Sequence, residues 1–181
     1  MPPISVIDDN IEILETGLAI LESLSNPAYN QAFEPWFSAS TGKHIRHILD
    51  HYLRFFDGLP TGRIDYDGRA RDARIETDRP FAVATIRAIQ DQLRTLNETL
   101  NRGNNLAQRP LTVRLCTSTA QPRAKDVASS LERELIFLHG HTTHHYAIIA
   151  VILKMLELPV SEDFGIAPST LVYEEQMECA P

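Results

Sequence analysis

Histidines are the side chains in this sequence whose number and spacing best suit metal chemistry. Four of the seven lie within seven residues: His139, His141, His144 and His145. If this stretch is helical, His141 and His145 lie one turn apart on the same face, about 5.4 Å along the axis. Two imidazoles in that arrangement can hold one divalent metal ion. His139 lies about 160° around the helix from His141, so we expect that it is not a ligand.

A third metal ligand must come from another part of the chain, and residues 42–52 contain three more histidines: His44, His47 and His51. A single buried histidine is usually a hydrogen-bonded packing residue. Several buried imidazoles are costly without partners, however, and one bound cation would satisfy them together. The two clusters therefore predict a site for a divalent transition metal, which we expect to be Ni, Zn, Fe or Mn.

An arginine-rich stretch, residues 63–76, is the second feature that could do chemistry. Eight of its fourteen residues are charged, with both signs mixed. Arg69 and Arg71 can clamp an anionic substrate over the metal, because guanidinium groups bind carboxylates and phosphates with two parallel hydrogen bonds. The alternative is that they pin the loop through ion pairs with its own acidic residues: Asp65, Asp67, Asp72 and Glu76.

The composition limits the kinds of protein and partner. The chain has 181 residues, 43% hydrophobic and 23% charged, which suits one globular domain spanning residues 1–181. A net charge of -7 argues against nucleic acid or an anionic membrane as partner. The sequence shows no signal peptide and no apolar run of transmembrane length, so we expect a cytoplasmic location. Cys116 and Cys179 are too far apart to indicate a disulfide framework.

The rest of the sequence must position the two histidine clusters, and its apolar periodicity predicts four helices. Capping and stopping residues place them at about 8–25, 41–56, 78–103 and 129–159, with Ser129 and Glu132 as a capping box for the last. Alternation of apolar and polar residues at 111–116, with a partner at 123–128, predicts a small β-hairpin before the fourth helix. The predicted fold class is therefore all-α, an antiparallel four-helix bundle with this hairpin as an addition.

Four segments of the sequence resemble the DinB/YfiT-like superfamily: GKHIRHILDHY, YDGRARD, SSLERELIFLHGHTTHHYAII and FGIAPST. The resemblance implies a four-helix bundle with nickel or zinc held by three histidines. It assigns the ligands to His47, which precedes Asp50 by three residues, and to His141 and His145. Some relatives are thiol-dependent transferases or isomerases.

The identity of the third ligand remains open between neighbouring histidines. The apolar face of the second helix centres nearer to His44 and His51 than to His47, so these two are reserve candidates. Asp50 and Glu134 are candidates for orienting a ligand ring through a hydrogen bond. Ordinary structural hydrogen bonds are the alternative for both, and for Glu134 this means an ion pair with Arg46 or Arg133.

These features predict a metal-dependent transferase or hydrolase acting on a small molecule that is thiol-bearing or anionic. The alternative is a non-catalytic metal- or ligand-binding protein, a sensor or a dimeric scaffold. Three ligands and an open metal position favour the first hypothesis, whereas a saturated set of histidines favours the second. The sequence leaves the oligomeric state open, with a homodimer as the candidate.

Overall fold

The computed structural model describes residues 6–35, 37–102, 109–120 and 123–178. Seven helices lie in these ranges: α1 (Val6–Ser23), α2 (Asn26–Asn30), α3 (Thr41–Gly58), α4 (Ala73–Thr77), α5 (Arg79–Asn101), α6 (Leu131–Met155) and α7 (Pro168–Glu178). The long helices α1, α3, α5 and α6 lie close to the four predicted ranges. The short helices α2 and α4 and the C-terminal α7 were not expected.

Three strands form a mixed sheet: β1 (Arg63–Asp65), β2 (Pro110–Cys116) and β3 (Ala124–Ser130), in the order β1-β2-β3. Strands β2 and β3 pair antiparallel, with Val113 opposite Val127, which is the predicted hairpin. Strand β1 pairs parallel to β2, with Ile64 opposite Val113. The hairpin is therefore part of a larger sheet that also includes the arginine-rich stretch.

The predicted fold class, an all-α antiparallel four-helix bundle, is wrong. Seven helices and a three-stranded mixed sheet make this an α/β structure in the described part of the chain. The sequence missed β1 because it is three residues long and has a single apolar residue, Ile64, between charged neighbours. Strands β1 and β2 are also far apart in the sequence, so no turn motif between them predicts that they pair.

Side-chain caps begin three of the long helices. Ser40 accepts a hydrogen bond from the Lys43 N–H at 3.2 Å, and Asp78 accepts one from the Phe81 N–H at 3.2 Å. The cap of α6 is Ser130, one residue later than the predicted Ser129. The Ser129 hydroxyl instead donates a hydrogen bond to the buried carboxylate of Glu134. The predicted stop at Gly103 lies outside the described residues.

The long helices enclose the hydrophobic core. Helices α1 and α3 each pack against both α5 and α6. Leu14, Ile45, Ile86 and Ile149, one from each helix, are at most 1% exposed. None of the helices in the described ranges combines the length and apolar character needed to cross a membrane.

A buried polar network fixes α3 against α6. The Asn10 amide donates to the Leu135 carbonyl at 3.0 Å, and the Tyr52 hydroxyl donates to the Asn10 side-chain oxygen at 2.6 Å. Thr142 donates to the same Tyr52 hydroxyl at 3.4 Å. Buried polar groups are costly unless they are paired, so these bonds favour one relative position of the helices. That position decides which histidines of α3 face those of α6.

Candidate metal centre

Helices α3 and α6 bring three histidines together. Each of His47, His141 and His145 offers one ring nitrogen, and these three atoms lie within 4.8 Å of one another. The ring centroid of His47 is 4.9 Å from that of His141 and 4.6 Å from that of His145. The two rings on α6 are 4.6 Å apart, as expected for histidines one helical turn apart. The arrangement has the donor type and convergence that a divalent transition metal requires.

An unsatisfied nitrogen supports the fit of a metal at this position. The Nε2 atom of His141 is buried and has no hydrogen-bond partner among the described residues. Buried polar atoms are nearly always hydrogen-bonded, so an exception needs a physical reason. A cation between the three rings would supply one, since it would accept the lone pair of this nitrogen.

The surroundings hold the three imidazoles in the neutral form that coordinates metals. Burial, helped by the neighbouring histidines and by two arginines, lowers the pKa of His47 to about 3. Burial and the neighbouring histidines lower the pKa of His141 to about 2 and that of His145 to about 4. Desolvation is the largest cause in each case, because it penalises the charged imidazolium.

His51, the first reserve ligand, uses both ring nitrogens elsewhere. It is 5% exposed, and its Nδ1–H donates to the His47 carbonyl at 2.8 Å. Its Nε2 then accepts from the Arg69 guanidinium, whose Nη1 lies 3.4 Å away. The helical wheel favoured His51 because the residue does face the core. Its hydrogen bonds, which the wheel cannot show, make it a poorer metal ligand than His47.

His44, the other reserve ligand, contacts His145 directly. The Nδ1 atoms of the two rings are 2.9 Å apart, so one must donate and the other accept. Phe37 stacks on the His44 ring with centroids 5.8 Å apart. Ligating histidines commonly hydrogen-bond through their second nitrogen to a group that fixes the ring orientation. His44 is placed to be that group for His145.

The two carboxylates proposed to orient ligand rings are paired with other groups. Asp50 accepts a hydrogen bond from Arg46 at 2.9 Å. Glu134 accepts hydrogen bonds from the Tyr66 hydroxyl at 2.8 Å and from Arg133 at 2.9 Å. Among the described residues, neither carboxylate is hydrogen-bonded to a histidine ring. Both therefore stabilise the structure around the site rather than orient a ligand ring.

Two aromatic residues that the sequence analysis did not select line the site. The Tyr66 ring stacks on His51 at 5.3 Å, and the Phe137 ring stacks on His141 at 5.6 Å. Phe137 lies one turn before His141, so helical spacing was a usable signal for it. Tyr66 follows β1 directly, and its place beside the histidines depends on the undetected strand pairing.

The two arginines of the loop have different environments. Arg69 is half-buried and touches His51, whereas Arg71 is exposed and has a left-handed backbone with φ of 53°. The acidic residues expected to pin them have other partners: Asp65 with Arg114, Asp67 with the Cys116 N–H, Asp72 with Arg74 and Glu76 with Arg46. The structure thus brings Arg69 to the cluster and leaves Arg71 outside it.

His139 lines a separate cavity of about 800 Å³ between α1, α6 and the segment 161–171. Asp9 and Glu12 of α1 line the same cavity. Burial lowers the pKa of His139, and the two carboxylates act in the opposite direction. Its placement agrees with the expectation that it lies away from the other histidines.

Comparison with known proteins gives a partial match. Over 109 residues, the chain is 33% identical to a protein of Rhizopus delemar named FK506-binding protein 5. The matched region makes up 60% of this chain and 26% of the relative, so the chain spans about a quarter of that protein's length. No protein-family model matches the sequence.

These results overturn the resemblance to the DinB/YfiT-like superfamily. The curated match is to a protein with a different name, and the mixed sheet is not part of a pure helical bundle. The resemblance rested on short segments, chiefly histidines at helical spacing. Such spacing arises wherever two imidazoles share a helix face, so it does not by itself indicate common descent. What the comparisons support is similarity over part of the chain to a protein named for FK506 binding.

Proposed function

We propose that this chain binds one divalent transition metal ion (Ni, Zn, Fe or Mn) through His47, His141 and His145, and uses it in a transferase or hydrolase reaction on a small molecule. The observation that carries the proposal is that one ring nitrogen from each of the three histidines lies within 4.8 Å of the other two. The buried Nε2 of His141, which has no hydrogen-bond partner in the described part of the chain, supports it. Neutral nitrogen donors at this spacing suit borderline metals better than calcium or magnesium, which prefer oxygen ligands.

Held by His47, His141 and His145, a divalent metal would have at least one open position and would supply Lewis-acid chemistry there. The chain's own residues prepare that position. Phe137 stacks on the ring of His141, and Tyr66 stacks on the neighbouring ring of His51. His44 fixes the ring of His145 through the bond between their Nδ1 atoms. Through Asn10 of α1, the Tyr52 hydroxyl and the Leu135 carbonyl link the two ligand-bearing helices, α3 and α6.

The hydrogen bonds of His51 favour an enzyme over a saturated, non-catalytic metal site. A fourth imidazole would close the coordination shell, and the His51 ring is 4.1 Å from that of His141. Its two nitrogens are engaged by the His47 carbonyl and by Arg69, however. Recruiting His51 to the metal would break one of these contacts, so three ligands and an open position are the better account.

The name of the Rhizopus relative refers to FK506 binding. Because the matched region is 26% of that protein, FK506 binding is not part of the proposal.

Metal content and metal-dependent turnover test the proposal. The full chain, purified without an affinity tag, should contain about one Ni, Zn, Fe or Mn ion per chain by elemental analysis. Metal-loaded and metal-stripped protein should then be compared in hydrolysis of 4-nitrophenyl acetate and in conjugation of a thiol to 1-chloro-2,4-dinitrobenzene. Activity restored by metal in either assay supports an enzyme and separates hydrolase from transferase. Protein that cannot be loaded with metal would refute the proposal.

A further inference from the structure

Arg69 carries its positive charge in a half-buried position beside His51. Among the described residues no carboxylate forms an ion pair with it, since the acidic groups of its own loop are paired elsewhere. Its Nε atom is buried and lacks a hydrogen-bond partner in the part of the chain that the structure describes. Its Nη1 contacts the neutral ring of His51 at 3.4 Å, which orients the guanidinium without balancing its charge. A charge without a counterion in a desolvated environment is energetically costly unless a ligand of opposite charge binds there.

The loop that carries Arg69 is held in position before any ligand arrives. The Asp65 side chain accepts hydrogen bonds from the N–H groups of Asp67 and Gly68 at 3.1 and 3.0 Å, and Arg54 donates to the Asp65 carbonyl at 3.1 Å. The Asp67 carboxylate accepts from the Cys116 N–H on β2. These bonds fix the turn after β1, so Arg69 reaches the histidines from a rigid support. A preorganised group binds its ligand at lower entropic cost.

A bound divalent cation would place a second positive charge near Arg69. The buried carboxylates Asp50 and Glu134 are engaged by Arg46 and Arg133, and Arg46 also pairs with Glu76. Imidazoles coordinate a metal in the neutral form, so the three candidate ligands would not offset the charge of a bound divalent cation. A small anion between the cation and Arg69 would interact favourably with both and offset part of their charge.

We infer that Arg69 binds an oxyanion group of the substrate, a carboxylate or a phosphate, beside the metal position held by His47, His141 and His145. The inference rests on the proposed function for the metal, but the anion contact belongs to Arg69 alone. The oxyanion would accept hydrogen bonds from the guanidinium group, because guanidinium groups bind such groups through parallel N–H bonds. Arg71, two residues away, is exposed and takes no part.

Anion binding to the full-length chain loaded with Co²⁺ tests this inference. Inorganic phosphate and acetate are titrated separately, and the visible absorption of the bound Co²⁺ reports occupancy near the metal. Arg69→Gln should weaken binding of the preferred anion about 10- to 100-fold, the range for one charge-assisted contact. Arg69→Lys keeps the positive charge but loses the parallel N–H donors of the guanidinium. Its affinity for the anion should lie between those of the wild type and Arg69→Gln. The matched control Arg71→Gln should bind like the wild type, and the anion that binds more tightly identifies the substrate class.

Metal content and thermal melting of the same variants distinguish a binding role from a structural one. Arg69→Gln should keep Co²⁺ content and melting temperature near those of the wild type. Unchanged anion affinity in Arg69→Gln, an equal loss in Arg71→Gln, or a large loss of melting temperature in Arg69→Gln would each overturn the inference.

A parallel phosphate and acetate titration of metal-free protein, followed by shifts of the arginine side-chain NMR signals, separates this inference from the proposed function. If Co²⁺ does not bind but the anion still shifts the signals in an Arg69-dependent way, the anion site stands and the metal proposal fails. If Co²⁺ binds and neither anion depends on Arg69 in either form, the metal proposal stands and the anion site fails.

Discussion

The two faces of α6 carry histidines in similar burial but with opposite neighbours. His141 and His145 face α3 and meet the ring of His47, whereas His139 faces α1 and lies near Asp9 and Glu12. Burial lowers the pKa on both faces. On one face three nitrogens converge, and on the other a lone imidazole lines a cavity with carboxylates. A histidine-rich helix therefore offers several possible sites, and the helix packed against it selects one.

The largest expected effect distinguishes the two faces by metal content. His141→Ala should remove a ligand and reduce metal affinity so strongly, at least ~1000-fold, that purified protein is nearly metal-free. His139→Ala, which deletes the same side chain on the other face, should retain about one metal per chain. Elemental analysis and competition with a chelator measure both. Equal metal content in the two variants would remove the distinction between the faces.

A second comparison concerns two acids in the first turn of α6, one buried and one exposed. Glu134→Ala should lower the free energy of unfolding by about 2–4 kcal/mol, because the buried Tyr66 hydroxyl loses its acceptor. Glu132→Ala should lower it by ~0.5 kcal/mol or less, the loss of a favourable charge at a helix N-terminus. Urea unfolding of the metal-free proteins measures the difference. Similar costs would mean that the buried Glu134 network does not anchor α6.

The contact between His44 and His145 gives a smaller effect on the same helix. His44→Ala should weaken metal affinity about 10- to 100-fold, because the ring of His145 loses the partner that orients it. His144 also lies beside His145, with ring centroids 5.1 Å apart, but it is exposed. His144→Ala should therefore leave the affinity within about threefold of the wild type. Chelator competition at fixed pH compares the two variants, and a larger loss in His144→Ala would exclude His44 as the orienting group.

The smallest expected effect is that of mild acid on metal content. The pKa values of His47, His141 and His145 are lowered to about 3, 2 and 4, so the folded protein keeps these rings neutral well below pH 6. Metal content should stay constant from pH 7.5 to about pH 5. An unpacked pair of histidines would instead release metal near its ordinary pKa of ~6.5. Release with a midpoint near pH 6.5 would show that the rings are not desolvated as described.

The same lowered pKa values set how the stability of the metal-free protein depends on pH. At these histidines the folded state binds protons more weakly than the unfolded state. Their contribution to the free energy of unfolding is therefore fully present above about pH 6.5 and is lost as pH falls toward the folded pKa values. The free energy of unfolding should therefore decrease between pH 6.5 and pH 4. Urea unfolding across this range checks the direction, and a constant value would contradict it.

The sequence by itself determined the features that depend on neighbours along the chain. The long helices follow from apolar residues repeated every three or four positions, and the side chains of Ser40 and Asp78 cap two of them. The hairpin of β2 and β3 follows from local alternation. The closeness of His141 to His145 and the distance of His139 also follow from helix geometry alone.

Tertiary structure decided the features that depend on contacts between distant segments. The parallel pairing of β1 with β2 places Tyr66 and Arg69 beside the histidines. The packing of α3 on α6 brings His47 to the pair on α6 and turns both nitrogens of His51 to other partners. Periodicity shows which face of a helix is buried, but not which atoms it meets there. Those atoms are fixed by hydrogen bonds and packing between segments, such as the Tyr52–Asn10 bond that joins α3 to α1.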